Sequence, residues 1–432
     1  MEGTSTSTGK TSWLGTLGWA AYLACSWTWC IGMFLPVLLV RDYGVWGFVV
    51  FAVPNVIGAG AMGWVLRNGA SERIVETHRV ACRVFSLVTV AFHCYFLLWV
   101  IGKQTPSTGP LPWEVIAGCG TVVGIAVLLS WLASRDRPRL WSAGLVWALS
   151  GGLFAGFLVM RRHFGVEGAP TLIGLRGAMH DPAGLIWLGP VCVFGFALCP
   201  YLDLTFHRAR QSVDRRGGVL AFTIGFGVLF AMMILFTLAY APNVLSGYVY
   251  SVVAIANIAV VLQYLCQSSF SVLVHSGEVV RGAPATSLLG RTGLICACVI
   301  GVLVGLKVLR PSPNLVPIGS ATMTNGEVVY RCFMSFYGLV FPAYVWLCMI
   351  PTRDGHSGVG GTRGRRKLMV LVGACVLAGP CYWMGFIERV EWWLAPGLGM
   401  VLVARLLVRG RGIAASPARA GEVVEALRDR RG

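Results

Sequence analysis

Five residues late in the chain share one helical face: Asn257, Tyr264, Ser268, Ser271 and His275 recur at intervals of seven, four, three and four. Ser269 adds a hydroxyl beside Ser268. Side-chain oxygens on such a face suit a hard cation, which takes oxygen ligands, and carbonyls from an unwound neighbouring segment would complete its shell. The same serines also serve as a stripe of small residues for helix packing, or bond back to the preceding turn. Asp203 offers different chemistry. It stands three residues after Pro200, ahead of Thr205, His207 and Arg208, and shares a face with His207 at i and i+4. An acid at membrane depth is costly to keep, so it marks a proton site, a partner for a cationic solute or a group that steers His207. Close to the end of a span, it serves instead as an ordinary partner for a loop arginine. His93, in an apolar run, reads as a hydrogen-bonded helix contact rather than a catalytic base.

These groups need a site to act on, and two segments can supply one. Gly32-Met33-Phe34-Leu35-Pro36 and Gly195-Phe196-Ala197-Leu198-Cys199-Pro200 each interrupt a long apolar run near its middle. Glycine weakens a helix, and proline removes a donor and clashes with the preceding turn, so both segments are expected to unwind locally. Main-chain groups freed at that depth must find a ligand, an ion, water or neighbouring protein. The expected cargo chamber is bordered by Trp29, Gly32 and Phe34 from the first run and by Phe194, Gly195 and Tyr201 from the second. The aromatic rings there serve equally well as core packing. Pro54 and Asn55 precede Gly58, Gly60 and Gly63, a stripe that permits close approach of another backbone.

The elements that carry these residues are membrane helices. Of 432 residues, 56% are hydrophobic and only 12% charged, too few to coat a soluble globule. Apolar blocks at 13–40, 45–67, 80–102, 112–134, 138–160, 184–206, 218–241, 246–275, 292–309, 330–350, 368–387 and 392–409 are each long enough to cross a bilayer. A Ser/Thr-rich start with a single Lys10 is a weak signal sequence, so the first block is expected to stay as a helix. The net charge of +17 does not gather on a soluble domain, which argues against nucleic acid as a partner. Arginines instead punctuate alternate loops, at 67–83, 135–139, 208–216, 281–291 and 353–367, and in the tail beyond 405. The positive-inside rule puts that face, and both termini, in the cytoplasm of a bacterial inner membrane. The fourteen cysteines lie mostly within apolar spans without paired spacing and read as packing residues.

Two motifs are decoys. Gly58-Ala59-Gly60-Ala61-Met62-Gly63 matches a dinucleotide-binding pattern but lies inside a membrane-length segment with no second strand ending in an acid. Gly9-Lys10-Thr11 lacks the preceding strand and leading glycine of a phosphate loop, so ATP-driven transport has no support. The longer loops, near 161–183, 310–329 and 351–367, are basic or Gly/Pro-rich and carry no interfacial cluster of acids, histidines or metal ligands. The chain is therefore not read as an enzyme.

Five helices separate the two interrupted runs, so they point in opposite directions, and helices one to five (13–160) and six to ten (184–350) form an expected inverted pair. With the two breaks, the Gly-rich second helix and the serines of helix eight, the pattern resembles the LeuT-fold transporters of the amino acid-polyamine-organocation superfamily. Within that superfamily it is most similar to the sodium:solute symporters. The resemblance implies an all-α polytopic fold of about twelve transmembrane helices, a five-plus-five inverted repeat, two additional helices at 368–409, and flanking tails at 1–12 and 410–432. It also implies sodium held by Ser268 and Ser269 with helix-one carbonyls. A major facilitator would repeat as six plus six, with a long central loop and an acidic-basic signature that Arg67–Arg73 does not provide. The expected function is secondary active transport of a small solute by alternating access, coupled to sodium or protons through Ser268, Ser269 and Asp203, with no organic cofactor. A polytopic membrane enzyme and a solute sensor without net transport are the competing readings. The partners are the lipid bilayer and the solute.

Overall fold

A computed structural model describes residues 12–67, 69–102, 140–163, 180–245, 254–281, 284–309, 323–351 and 361–408, all helices and short connections with no strand. The helices are α1 (Trp13–Trp27), α2 (Cys30–Tyr43), α3 (Val45–Val65), α4 (Ala70–Thr77), α5 (Arg79–Gly102), α6 (Leu140–His163), α7 (Leu185–Leu198) and α8 (Leu204–Gln211). There follow α9 (Arg215–Ile224), α10 (Ala231–Leu245), α11 (Ala254–Val280), α12 (Pro284–Leu309), α13 (Asn325–Ser335), α14 (Phe341–Tyr344), α15 (Gly361–Phe386) and α16 (Leu394–Val408). Wider π-helical turns at Gly225–Phe230, Phe336–Val340 and Val345–Met349 join α9 to α10, α13 to α14, and extend α14.

Among the described residues nine helical segments are long and apolar enough to cross a membrane, and α1 with α2 makes a tenth crossing bent by 57°. This is a polytopic helical membrane protein. At 27 residues α11 is also long enough, about 40 Å at the usual helical rise. It is not among the apolar spans, because Gln263, Gln267, Ser268, Ser271, His275 and Ser276 are all buried along it. Protein, not lipid, covers that face: α11 packs against α1, α5, α6 and α12. The expected span at 112–134, the tail from residue 414 and the Asn257 side chain lie outside the described residues.

The broken crossing is the centre of the molecule. All of α2 except Leu35 and Arg41 is buried, as expected of a helix apolar on every side. Around it, α10 packs on α2, α7 on α3, and α11 and α12 on α5. The Gly58 stripe makes one of these contacts. A methyl group at Gly58 would be driven into the Phe196 carbonyl of α7, and one at Gly63 into the Phe222 ring of α9. The stripe is therefore a packing surface, consistent with its reading as a decoy for nucleotide binding.

One expectation about the first break changes. The sequence places it at Gly32–Pro36, yet α2 runs unbroken through Pro36 and the chain leaves the helix four residues earlier, at Thr28 and Trp29. Proline cannot donate to the Gly32 carbonyl, but the Thr237 hydroxyl of α10 does so at 3.2 Å, and Tyr240 donates to the next carbonyl, Met33, at 2.6 Å. A neighbouring helix thus replaces the missing donor and the helix survives its proline. In the sixth crossing, counting the expected span at 112–134, the helix runs unbroken through Gly195–Leu198 and the break falls later than the sequence puts it, at Cys199–Asp203, toward the end of the span Pro182–Leu202 rather than in its middle. α7 ends at Leu198, Cys199–Leu202 form a tight 3-10 turn, and Asp203 is extended before α8.

Candidate functional site

The two breaks meet. A small cavity lies between them, walled by Trp27, Trp29, Ile31 and Gly32 from the first crossing, Gly195, Phe196 and Cys199 from the sixth, with Asn55 of α3 and Tyr337. Trp27 is fixed by donating its indole N–H to Asn55 Oδ1 at 2.6 Å, and Cys199 by donating to the Tyr337 carbonyl at 3.3 Å. Gly195 is required by close approach: a methyl there would sit 2.7 Å from that same carbonyl. Tyr337 lies on a π-helical turn, and its hydroxyl pairs with Thr89 Oγ1 of α5 at 2.9 Å.

Toward the ends of the molecule that carry Arg83, Arg210 and Arg281, the cavity is backed by a polar cluster. Asp203 is wholly buried; its Oδ1 accepts the Thr205 amide at 2.8 Å and hydroxyl at 2.7 Å, capping α8. Thr205 in turn reaches Ser26 Oγ of α1 at 3.2 Å. The other carboxylate oxygen, Oδ2, makes no hydrogen bond among the described residues and faces His275 Nε2 at 4.0 Å, which makes none either. His275 Nδ1 is paired with Ser86 Oγ at 3.1 Å, and its ring stands edge-on to Trp29 with centroids 5.4 Å apart. The Ser26 carbonyl, which accepts the Trp29 indole N–H, faces the same imidazole. His93 bonds the Thr89 carbonyl through Nδ1 at 2.7 Å and leaves Nε2 without a partner among the described residues. Ser268 and Ser276 hydroxyls and the Gln263 and Gln267 carbonyl oxygens are likewise buried and unpartnered among the described residues. Buried polar atoms are nearly always bonded, so this concentration on α11 beside a helix break calls for an explanation.

At the opposite end of α2 the chemistry is the reverse. Arg41 holds Glu327 through both nitrogens at 2.8 and 2.6 Å, Arg331 bridges Glu327 at 2.8 Å and Asp42 at 2.9 Å, and Arg389 reaches Asp42 at 2.5 Å. Glu391 accepts from Tyr43 at 2.6 Å and from Arg389 at 3.4 Å. Three arginines meet three acids, tying α2 to α13 and to the turn between α15 and α16. Arg389 holds a left-handed backbone, φ 62°, which a non-glycine residue rarely adopts, and its pairing with Asp42 fixes it there. Below the network lies a second, larger cavity, a vestibule lined by apolar residues such as Leu39, Leu188, Val191 and Phe386 together with Arg331 and Arg389. Gly195, Phe196 and Tyr337 wall both cavities, so these three residues form the partition between vestibule and chamber.

Of the residues proposed from sequence, Trp29, Gly32 and Gly195 line the chamber. Phe34 instead packs on Phe96, Trp99 and Tyr330, Phe194 turns to Trp346, and Tyr201 gives its carbonyl to His207. Asp203 has no arginine partner among the described residues, and His207 does not join it: that ring lies between Ser71 at 2.8 Å and Tyr201. Ser268 is buried, whereas Ser269, one residue on, is partly exposed on another side of α11. Ser271 makes the contact with the broken crossing, donating to the Cys25 carbonyl at 3.4 Å. Sequence reasoning did not identify Phe196, Cys199 and Tyr337 as chamber residues, nor the partnership of Asp203 with His275. Nor did it find the arginine–acid network, although Arg41-Asp42 and the i, i+4 pair Glu327 and Arg331 were visible as charges at span ends. Among the described residues no group of histidine, cysteine and acid is arranged to hold a metal ion. Neither protein-family models nor curated protein sequences give a match to the chain.

Proposed function

We propose that the protein is a secondary transporter that carries a small solute through the chamber between its two broken crossings by alternating access. The observation that carries this reading is the meeting of the two breaks on one enclosed cavity. Irregular backbone at membrane depth survives only where protein or an aqueous cavity covers it, and carriers use such half-helices to form a site that either face can reach. The thin wall of Gly195, Phe196 and Tyr337 then acts as the gate toward the vestibule, and the arginine–acid network closes the far side. With the apolar run at 112–134 counted as a crossing, the breaks lie five crossings apart and in opposite directions, which also supports the five-plus-five inverted repeat and the kinship with LeuT-fold carriers. On that reading the arginine-rich face with Arg83, Arg210 and Arg281 is cytoplasmic, as are both termini.

The test is counterflow in proteoliposomes with radiolabelled amino acids, sugars, carboxylates and nucleobases, each preloaded unlabelled. Exchange of label for at least one class, abolished by Gly195→Trp, is expected. Stabilising binding of a solute without exchange of its label would assign the protein to sensing instead.

A further inference from the structure

We infer that the coupling ion of this carrier is a proton, held between Asp203 Oδ2 and His275 Nε2. The inference rests on the transport reading and names the ion that drives it. Two buried polar atoms face each other at 4.0 Å, Asp203 Oδ2 at the break before α8 and His275 Nε2 on the uninterrupted α11, and neither makes a hydrogen bond among the described residues, although the Ser26 carbonyl also faces the imidazole. Oδ1 already takes two donors from Thr205, so the carboxylate has one oxygen satisfied and one bare. Leaving that oxygen both charged and unbonded is expensive away from water. A single proton removes the conflict: in the tautomer whose Nδ1–H donates to Ser86, which the proposal requires, Nε2 is an acceptor, and an Oδ2–H group donates to it after an approach of about 1 Å to hydrogen-bonding distance. The proton enters from water with formation of the Oδ2–H bond. It leaves to water on the other face when that bond breaks, with no electron transferred.

The pair is placed to convert this event into movement. Asp203 begins α8 directly after the 3-10 turn of the sixth crossing, His275 belongs to α11, and Trp29 at the break of the first crossing packs edge-on against the imidazole. Protonation draws α8 toward α11 next to the chamber, and cargo that favours the same position binds more tightly when the proton is bound. By linkage, the proton binds more tightly with cargo in place. A sodium ion fits this gap less well, because one of the two facing atoms is an imidazole nitrogen rather than an oxygen. The ionisable neighbours come from every side. Glu278 lies one turn along α11, held by Arg281 at 3.4 Å and by Arg208 of α8 at 4.0 Å. His93 and Cys82 of α5, Tyr22 of α1, Cys199 of the 3-10 turn and Tyr337 also face the pair.

The full-length protein in nanodiscs, without any solute, tests this by infrared difference spectroscopy between acidic and alkaline buffer. The expected spectrum contains a titrating protonated-carboxyl band that is lost in Asp203→Asn and shifted in frequency in His275→Gln. Replacing choline chloride with sodium chloride at constant pH should leave it unchanged. A band that persists in Asp203→Asn, or that is untouched by His275→Gln, overturns the inference. So does a band that sodium abolishes at constant pH, which would mean the carboxylate takes a metal cation. If Asp203→Asn does not fold, the His275→Gln shift and the sodium comparison on wild-type protein still distinguish the proton from its alternatives. Because no cargo is needed, failure here is distinguishable from failure of counterflow.

Discussion

The two ends of the broken first crossing bury polar groups in opposite ways. At the α2 end three arginines and three acids neutralise one another in a network spanning α2, α13 and the turn around Arg389, in which Arg389 Nη2 alone lacks a hydrogen bond among the described residues. At the α1 end Asp203, His275, His93, Ser268 and Ser276 each leave a buried polar atom without a hydrogen bond among the described residues. A network in which every charge meets an opposite one has one low-energy arrangement and acts as a clamp. An unsaturated cluster gains from whatever arrives to complete it, a proton or a solute, and so marks where the molecule works.

Mutations should separate the two. The largest effect is expected from Asp42→Asn, which leaves Arg331 and Arg389 buried with less counter-charge; the loss of stability should be about 3–5 kcal/mol, read as a lower unfolding temperature in nanodiscs. Combining it with Arg389→Gln restores the charge balance and should recover much of the loss. If Asp42→Asn is harmless, the network is not a clamp. Next comes Tyr43→Phe, which removes one hydrogen bond to the Glu391 carboxylate and should cost about 2 kcal/mol in the same measurement.

The smallest stability effects should come from the unsaturated end. Ser268→Ala and Asp203→Asn should change the unfolding free energy by less than about 0.5 kcal/mol, since neither breaks a complete network and asparagine can still cap α8. Asp203→Asn should nevertheless abolish accumulation driven by a pH gradient. Destabilisation by Ser268→Ala as large as that of Tyr43→Phe would erase the contrast between the two ends.

How much of this was legible in the sequence follows from which physics is local. Membrane spans were readable because apolar length is a property of a continuous segment. The sixth-crossing break was readable near Pro200, because that residue acts on its own turn. Pro36 carries the same local signal, yet its effect is cancelled by Thr237 and Tyr240, which lie about two hundred residues away in sequence but adjacent in space. The face of α11 was readable from its spacing, whereas the separation of Ser268 from Ser269 depends on which neighbours surround the helix. Asp203 stood out as an intramembrane acid, but its partner could not be guessed: local spacing favours His207, and tertiary packing supplies His275 instead. The arginine–acid network joins residues nearly 350 positions apart, and only its local pairs, Arg41 with Asp42 and Glu327 with Arg331, leave a trace in the chain.

The central claim is that the chamber between the two breaks opens to water in the working cycle, and Cys199 reports on it without any knowledge of the cargo. Buried beside the chamber, this thiol can be kept as the single cysteine after the other thirteen are replaced, in protein reconstituted in one orientation. Membrane-impermeant maleimide applied in turn to each face of the vesicle should label Cys199 slowly from both, and Gly195→Trp should stop labelling from the vestibule face. A thiol that stays unlabelled from both faces, while a control cysteine at the exposed Arg215–Arg216 start of α9 reacts, would contradict alternating access through this chamber.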